Sequence, residues 1–114
     1  MISFIAAVHT LTIDGSSNPI LAGETPTLTC NVCSDFLPSV KWINSQNDEM
    51  ITVEGEVMIG APVFDGDNCT SLSLTFNSLK TSQGGRYTCQ SVVDSPFSEK
   101  KSTRDIIVKS EIVF

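Results

Sequence analysis

The segment Gly84-Gly85-Arg86-Tyr87-Thr88-Cys89, read together with Cys30 and Trp42, decides the fold of this 114-residue chain. Cys30 and Cys89 lie 59 positions apart (89 − 30), and Trp42 follows Cys30 by 12 positions (42 − 30). One residue separates Tyr87 from Cys89, so both would lie on the same face of a strand, which is the pattern of a strand with one buried face. Gly85 stands where a tight turn needs a residue without a β-carbon. These residues predict β-structure built around two cysteines and one indole ring.

Outward from this segment, the whole sequence consists of short alternating runs separated by turn residues. No apolar stripe with the 3.6-residue period of a helix persists, and the spacing of the runs indicates an all-β sandwich or barrel. Pro19, in the first turn, suits an edge position because it has no N–H to donate to a ladder. The predicted strands are 7–13, 27–33, a run around Val40 and Trp42, 50–53, 57–59, 63–64, a run over 72–76, 87–91 and 102–109.

Two groups of residues resemble signatures of the immunoglobulin superfamily. Leu72-x-Leu74-x-Phe76, Leu79 and Gly85-x-Tyr87-x-Cys89 are similar to its strand E to strand F signature, and Ala22-Gly23-Glu24 with Leu28-Thr29-Cys30 is similar to the start of its strand B. The resemblance covers about residues 7–110 and implies an immunoglobulin-like, two-sheet antiparallel Greek-key sandwich, I-set or V-like. Residues 1–114 are then a single domain.

The resemblance also implies a role for each signature residue. Cys30 and Cys89 form a disulfide between the two sheets, and Trp42 covers that bond with apolar surface. Tyr87 is the tyrosine corner, whose hydroxyl bonds to upstream backbone. Leu74 faces the core.

Two departures from the family pattern bear on the assignment. Gln83 stands where the family usually has an aspartate, and no basic partner stands near Val63, so the usual salt bridge is predicted to be missing. The last strand, 102–109, lacks the Gly-x-Gly bulge of antibody and T-cell receptor variable domains, which argues against an antigen receptor.

Cys33 and Cys69 are predicted to form a second disulfide. Strands B and E are antiparallel neighbours in the implied fold, so a register that pairs Leu28 with Leu74 also pairs Cys33 with Cys69. Both cysteines have outward parity, which places this bond on the outer surface of the sheet. The alternative is two free or intermolecular thiols.

Cys30 and Cys33 also satisfy a Cys-x-x-Cys spacing, which raises metal and redox alternatives. A zinc site would need a second such pair or well-spaced histidines, and His9 is the only histidine. A thioredoxin-like motif would open a helix, whereas these cysteines lie in a β-type run. Two disulfides formed in an oxidising, extracellular compartment are the preferred interpretation.

Composition and charge exclude several function classes. A formal charge of −6 argues against nucleic acid or an anionic membrane as the partner. No stretch approaches the roughly 20 apolar residues of a membrane span, and Ile2–Val8 lacks the basic start of a secretory signal. We interpret the chain as a domain excised from a longer ectodomain, with Met1 as an added start and 111–114 leading into the next segment.

Candidate contact residues lie on two predicted loops at the same end of the sandwich, Phe36-Leu37-Pro38 and Pro96-Phe97. Exposed aromatic residues on loops are where interfaces gain binding energy. The alternative is that Phe36 or Leu37 plugs the end of the core. Asn68-Cys69-Thr70 is an N-glycosylation sequon at this end, where a glycan would shield the same surface.

No catalytic residue, metal site or cofactor is predicted. The single histidine has no evident acid or nucleophile as partner. An acidic group in the middle of the chain does not match the ligand spacing of a calcium loop and is interpreted as a solvated edge: Asp48, Glu49, Glu54, Glu56, Asp65 and Asp67.

The sequence therefore predicts an extracellular recognition or adhesion module of a cell-surface receptor, which binds a protein ligand or a second copy of itself and is not an enzyme. The segments 22–24 and 84–89 are also similar to Ig-like domains of invertebrate receptors, including sponge receptor tyrosine kinases and sponge adhesion molecules. The alternatives are a passive spacer in a multi-domain stalk and a secreted immune-type recognition protein.

Overall fold

The computed structural model describes residues 8–110, which are almost entirely β-structure. The predictions that concern Met1, the start of the first strand at Ala7 and the tail 111–114 fall on residues outside this range. The strands and one short 3-10 turn are, in chain order, β1 His9–Gly15, β2 Ile20–Leu21, β3 Thr27–Ser34, β4 Ser39–Ile43, β5 Val57–Ile59, β6 Val63–Phe64, β7 Cys69–Phe76, the turn Thr81–Gln83, β8 Gly85–Asp94, β9 Phe97–Ile106 and β10 Val108–Lys109.

Two antiparallel sheets form the sandwich. The first has the order β1-β3-β7-β5, with β6 also pairing with β7, and the second has the order β4-β8-β9. Along β3 and β7 every second residue is buried, because strand side chains alternate between the faces of a sheet and one face covers the core.

The first two strands, β1 and β2, pair in different ladders. β1 pairs antiparallel with β3, whereas β2 pairs parallel with β10, which follows β9 directly. Ile20, which follows Pro19, donates its N–H to the carbonyl of Ile107 at 2.8 Å and buries its side chain. The pair β2 and β10 thus forms a separate two-stranded ladder just past the end of β9.

The register between β3 and β7 is the predicted one. Leu28 lies opposite Leu74 and Cys33 opposite Cys69. The sulfur atoms of Cys33 and Cys69 are bonded at 2.00 Å, and those of Cys30 and Cys89 at 2.03 Å.

Trp42 and Tyr87 connect the two sheets around the inner disulfide. Trp42 is buried, and its Nε1–H donates to the carbonyl of Leu72 across the core at 3.1 Å. The ring of Tyr87 meets that of Phe76 edge to face, with centroids 5.3 Å apart. The Tyr87 hydroxyl donates to the carbonyl of Gln83, and burial raises the pKa of that hydroxyl, so it stays a donor at neutral pH.

Several predicted strands differ from the structure. β7 and β8 begin three and two residues before the predicted runs 72–76 and 87–91, and β8 also ends three residues later. Met50–Val53 forms no strand, and within the described residues its only bridge is the isolated one between Val53 and Val57. The backbone N–H and carbonyl of Ile59, at the edge of β5, are bonded instead to the side-chain hydroxyl of Thr52. The first strand begins at His9 within the described residues and extends to Gly15, past the predicted end at Ile13.

The last predicted strand, 102–109, is divided and longer than expected. Because Ser95 and Pro96 form a two-residue turn, β9 begins at Phe97 and pairs with β8 along its whole length. The backbone then leaves this ladder at Ile107, and β10 pairs with β2 instead.

Candidate functional site

One end of the sandwich collects half of the large exposed apolar side chains among the described residues. The loop 35–38, the turn 65–68, the turn 95–96 and the start of β1 all lie there, because β3 and β8 end and β7 and β9 begin at this end. We call this surface the apolar end and define it by five side chains. Their exposed fractions are Val8 50%, Phe36 44%, Leu37 81%, Phe64 65% and Phe97 71%.

Backbone hydrogen bonds hold the loop 35–38 against the start of the chain. The N–H of Val8 donates to Oδ2 of Asp35 at 2.7 Å, and the N–H of Asp35 donates to the carbonyl of Val8 at 3.1 Å. The N–H of Phe36 donates to Oγ of Ser34 at 3.2 Å. The aromatic side chain of Phe36 is thus presented from a fixed backbone.

Two shallow cavities meet at Phe36 and make the apolar end continuous. The first, of about 260 Å³, lies between Phe36, Leu37 and Phe64 and is bordered by Asn68. The second, of about 140 Å³, lies between Phe36 and Phe97. The three phenylalanines therefore form one surface and not three separate contacts.

His9 forms part of the floor of the smaller cavity. Its side chain is 9% exposed, with Nδ1 at 2.8 Å from Oγ of Ser98 and Nε2 at 2.9 Å from Oγ of Ser91. The ring therefore connects β1 of the first sheet with β8 and β9 of the second. Burial, and to a smaller extent the charge of Lys100, lower the pKa of His9 below its usual value near 6.5, so the ring is neutral at pH 7.

The turn 65–68 is tied to the same end. The N–H of Asp67 donates to Oδ1 of Asp65 at 3.0 Å, and the N–H of Ser34 donates to the carbonyl of Asn68 at 2.9 Å. The adjoining Cys33–Cys69 disulfide fixes this turn to the end of β3. Covalent and hydrogen-bonded ties thus hold the turn rigidly beside Phe64.

The predicted sequon has an exposed asparagine and a buried threonine. Asn68 has a φ of 61°, whereas Thr70 is only 6% exposed and lies in β7. Cys69, between them, is bonded to Cys33. In the folded domain the threonine hydroxyl is therefore enclosed by the sheet.

The structure corrects two sequence interpretations of this end. Phe97 is the first residue of β9, opposite Asp94, and not a loop residue, because the turn is only two residues long. Leu37 does not plug the core, since most of its side chain is exposed, and Phe36 is only partly covered. Pro38 and Pro96 line the two cavities beside them.

Sequence reasoning missed three residues of this site. The sequence predicts Phe64 on an edge strand, but it does not predict that the exposed side chain borders the same cavity as Phe36. Val8 and His9 reach it because the chain start packs over the second sheet. The only sequence signal was the dipeptide Val63-Phe64 directly before the acidic turn.

A second and larger cleft of about 520 Å³ lies towards the opposite end, beside β5. Val53, Val57 and Met58 provide its apolar wall, with Glu54 and Glu56 at the rim. None of the described residues that line it is aromatic. The concentration of aromatic surface therefore distinguishes the apolar end from this cleft.

The described residues offer little to catalysis or metal binding. Ser91, which bonds to His9, is completely buried and has no access to a substrate. Within 8–110 no group of three or more His, Cys, Asp or Glu side chains is arranged to hold a metal ion. The same range has no helix of the length and apolarity required to cross a membrane.

A family model described as the immunoglobulin I-set domain matches residues 8–108. No curated protein sequence matches the chain significantly. Three solved structures resemble it over most of its length, each at low sequence identity.

The titin Ig tandem domains A164-A165 have a TM-score of 0.63 at 19% identity, with 92% of this chain and 49% of that chain covered. The eight N-terminal Ig domains of the Down syndrome cell adhesion molecule give 0.64 at 16% identity, covering 91% and 12%. The complex of Dpr2 Ig1-Ig2 with DIP-Theta Ig1-Ig3 gives 0.65 at 13%, covering 92% and 33%. The chain thus spans half or less of each of these structures, and the likeness shows the fold alone.

Proposed function

Because the chain belongs to the immunoglobulin I-set domain family, we propose that it is an extracellular recognition or adhesion module, and that its apolar end contacts a protein partner. The observation that carries this proposal is the continuous surface of Phe36, Phe64 and Phe97 around two cavities. The domain itself performs no catalysis in this proposal.

The exposure of three phenylalanines favours binding over a passive role. Aromatic side chains are enriched in the buried centres of interfaces, and contiguous exposed apolar patches mark interaction sites. The hydrogen bonds and the Cys33–Cys69 disulfide around these rings keep the surface in one shape. A preformed surface loses less conformational entropy on binding than a flexible one.

An extracellular location fits the two disulfides, since such bonds persist in oxidising compartments. The structural neighbours include a protein named as a cell adhesion molecule and a complex between two Ig proteins. They support, by analogy of fold, a place in the ectodomain of a cell-surface receptor. The narrower likeness to sponge receptor tyrosine kinases, with a kinase elsewhere in the parent chain, stays a prediction.

We propose further that a glycan on Asn68 regulates access to the apolar end. Asn68 borders the cavity beside Phe36 and Phe64, so an attached sugar would cover that cavity. Since Thr70 is buried and Cys69 is bonded in the folded domain, the sugar must be added before β7 pairs with β3. The unglycosylated domain is then the form that binds.

The test is a paired substitution at each of the two apolar surfaces. Phe36→Ala with Phe97→Ala removes aromatic surface from the apolar end, and Val53→Ala with Met58→Ala is the matched pair in the larger cleft. Each tetramerised domain is stained onto cells of the source organism and measured by flow cytometry, with Tm recorded for each variant. We expect the first pair to reduce staining at least about tenfold, from the loss of about 1.4 kcal/mol or more, at little cost in Tm.

The second pair should stain like the unaltered domain. Equal staining by both pairs at unchanged Tm would leave the passive spacer as the better explanation. A secreted protein and a receptor module give the same result here, and the complete reading frame separates them.

A further inference from the structure

The charged groups on the loops and turns of the apolar end all have the same sign. They are Asp35, Asp65 and Asp67, and Asp94 at the last position of β8 adds a fourth carboxylate, whereas these loops and turns have no lysine or arginine. The nearest cations along the chain lie on strands, Lys41 on β4 three residues after Pro38, and Lys100 on β9 three residues after Phe97. The apolar end is therefore an apolar centre with an acidic rim.

The four rim carboxylates have no cationic partner within the described residues. The ion pairs there join Lys41 to Glu49, Lys80 to Glu56, Arg86 to Asp105 and Lys101 to Glu99. Asp35 and Asp65 accept only backbone N–H groups, at 2.7 and 3.0 Å. Within residues 8–110, no ion pair therefore compensates the negative charge of these four carboxylates.

This charge pattern disfavours a second copy as the occupant. Two apolar ends packed together would bring both acidic rims into one interface, and like charges placed opposite each other in an interface cost several kcal/mol. The other surfaces offer little attraction, because four of the seven cations already pair with carboxylates and each copy carries a formal charge of −6. Encounter between copies is slowed by the same repulsion.

We propose that the partner is a different protein, whose contact segment has an aromatic or aliphatic centre flanked by lysine and arginine. The apolar side chains of that segment occupy the two cavities beside Phe36, and its cations meet the carboxylates of the rim. This inference rests on the proposed recognition function and specifies the chemistry of its ligand. The complementary rim accelerates association and rejects acidic or neutral competitors.

The experiment uses three short synthetic peptides and the isotope-labelled domain. The first peptide has a Trp-Leu centre flanked by lysines; the second replaces the lysines by glutamates; the third replaces the centre by serines. Backbone amide shifts report where each peptide binds, and titration gives the affinity. We expect only the first peptide to shift the amides of 36–37, 64–69, Ser95 and 97–98, with an affinity that falls as salt is raised.

Two charge-matched triple variants test the rim directly. Asp65→Asn, Asp67→Asn and Asp94→Asn keep the side-chain shape and remove three rim charges. Asp14→Asn, Glu24→Gln and Glu54→Gln remove the same charge from elsewhere. We expect the rim triple to weaken the first peptide about tenfold, because three exposed ion pairs with the peptide are lost together, and the control triple to change it less than about twofold.

Several results would overturn the inference. These are equal affinity for the serine peptide, equal effects of the two triples, shifts confined to the cleft at Val53 and Met58, or a dimer formed through the apolar end in sedimentation at low salt. If the peptides fail while Phe36→Ala with Phe97→Ala still abolishes cell staining, the recognition function stands and this partner chemistry is wrong.

Discussion

At the scale of single residues, His9 shows how one buried polar side chain fixes the start of the chain. Both ring nitrogens are bonded, to Ser91 and Ser98, so neither is left unsatisfied inside the sandwich. In the neutral ring one nitrogen donates and the other accepts, and the two serine hydroxyls adapt to either arrangement. The ring thereby joins β1 to the opposite sheet beneath the apolar end.

The lowered pKa of His9 predicts a pH-dependent stability. Since the unfolded chain binds the proton more readily, the contribution of His9 is complete above its usual pKa near 6.5 and is lost as the pH falls through the lower pKa of the folded state. We expect the free energy of unfolding in urea to fall more between about pH 7.5 and about pH 5.5 in the unaltered domain than in His9→Gln. Parallel losses in both proteins would show that His9 does not carry this dependence.

Residue identity alone could not predict this role. A lone histidine near the start of the sequence has no visible partner, because Ser91 and Ser98 are more than 80 positions away. Trp42 and Tyr87, in contrast, were predictable, since each occupies a fixed distance from a cysteine that the fold needs. Side chains at a fixed spacing from the cysteines can be predicted from the sequence, whereas a side chain such as His9, which packs locally between the two sheets, cannot.

At the scale of elements, the ladder between β3 and β7 determines the position of the turn at Asn68. Strand alternation and the pairing of Leu28 with Leu74 gave the register, and that register brings Cys33 opposite Cys69. The disulfide lies at the end of the ladder, where a sheet would otherwise fray. It therefore holds the turn 65–68 and Phe64 beside Phe36.

Removing this outer disulfide should loosen the apolar end more than the core. We expect Cys33→Ala with Cys69→Ala to lower the free energy of unfolding by about 1–3 kcal/mol, less than for an isolated loop because it is nested inside the loop closed by Cys30 and Cys89. Tm should fall by several degrees, and amide hydrogen exchange should accelerate first at 64–70. Faster exchange at Trp42 and Leu72 with none at the turn would contradict this account.

The existence of the long strands was predictable from alternation, but their ends were not. β3 differs from the predicted run 27–33 by one residue, whereas β7 begins three residues before the predicted 72–76 and β8 extends past the predicted 87–91 at both ends. The run Met50–Val53 has the composition of a strand, yet within the described residues it forms only the isolated bridge between Val53 and Val57, because the side chain of Thr52 is bonded to the backbone of Ile59. Between β5 and β6, pairing with β7 shifts by one residue near Pro62, since Ile59 faces Leu74 and Val63 faces Ser71. Such a bulge leaves no sequence signal beyond the proline.

At the scale of the whole molecule, the sandwich has two different ends. The apolar end combines three phenylalanines with a rim of aspartates, whereas the other end contains the parallel pair β2 and β10 and the cleft beside β5. The sequence predicted the fold and part of the apolar end, namely the exposed rings of Phe36 and Phe97, although Phe97 lies on β9 and not on a loop. It did not predict that Phe64 completes this surface, because that contact depends on how far β6 and β7 extend past the core.

The positions of Phe36, Phe64 and Phe97 at one end follow from the strand order, and the two disulfides join strands that this order places side by side or face to face. The direct measurement is disulfide mapping of the unreduced protein by mass spectrometry. Cleavage at lysine and arginine leaves Cys30 and Cys33 on one peptide, so backbone fragmentation between Asn31 and Val32 is needed to separate them. The account predicts that Cys30 is joined to Cys89 and Cys33 to Cys69. A bond from Cys30 to Cys69 or to Cys33, or a free thiol at Cys89, would contradict it.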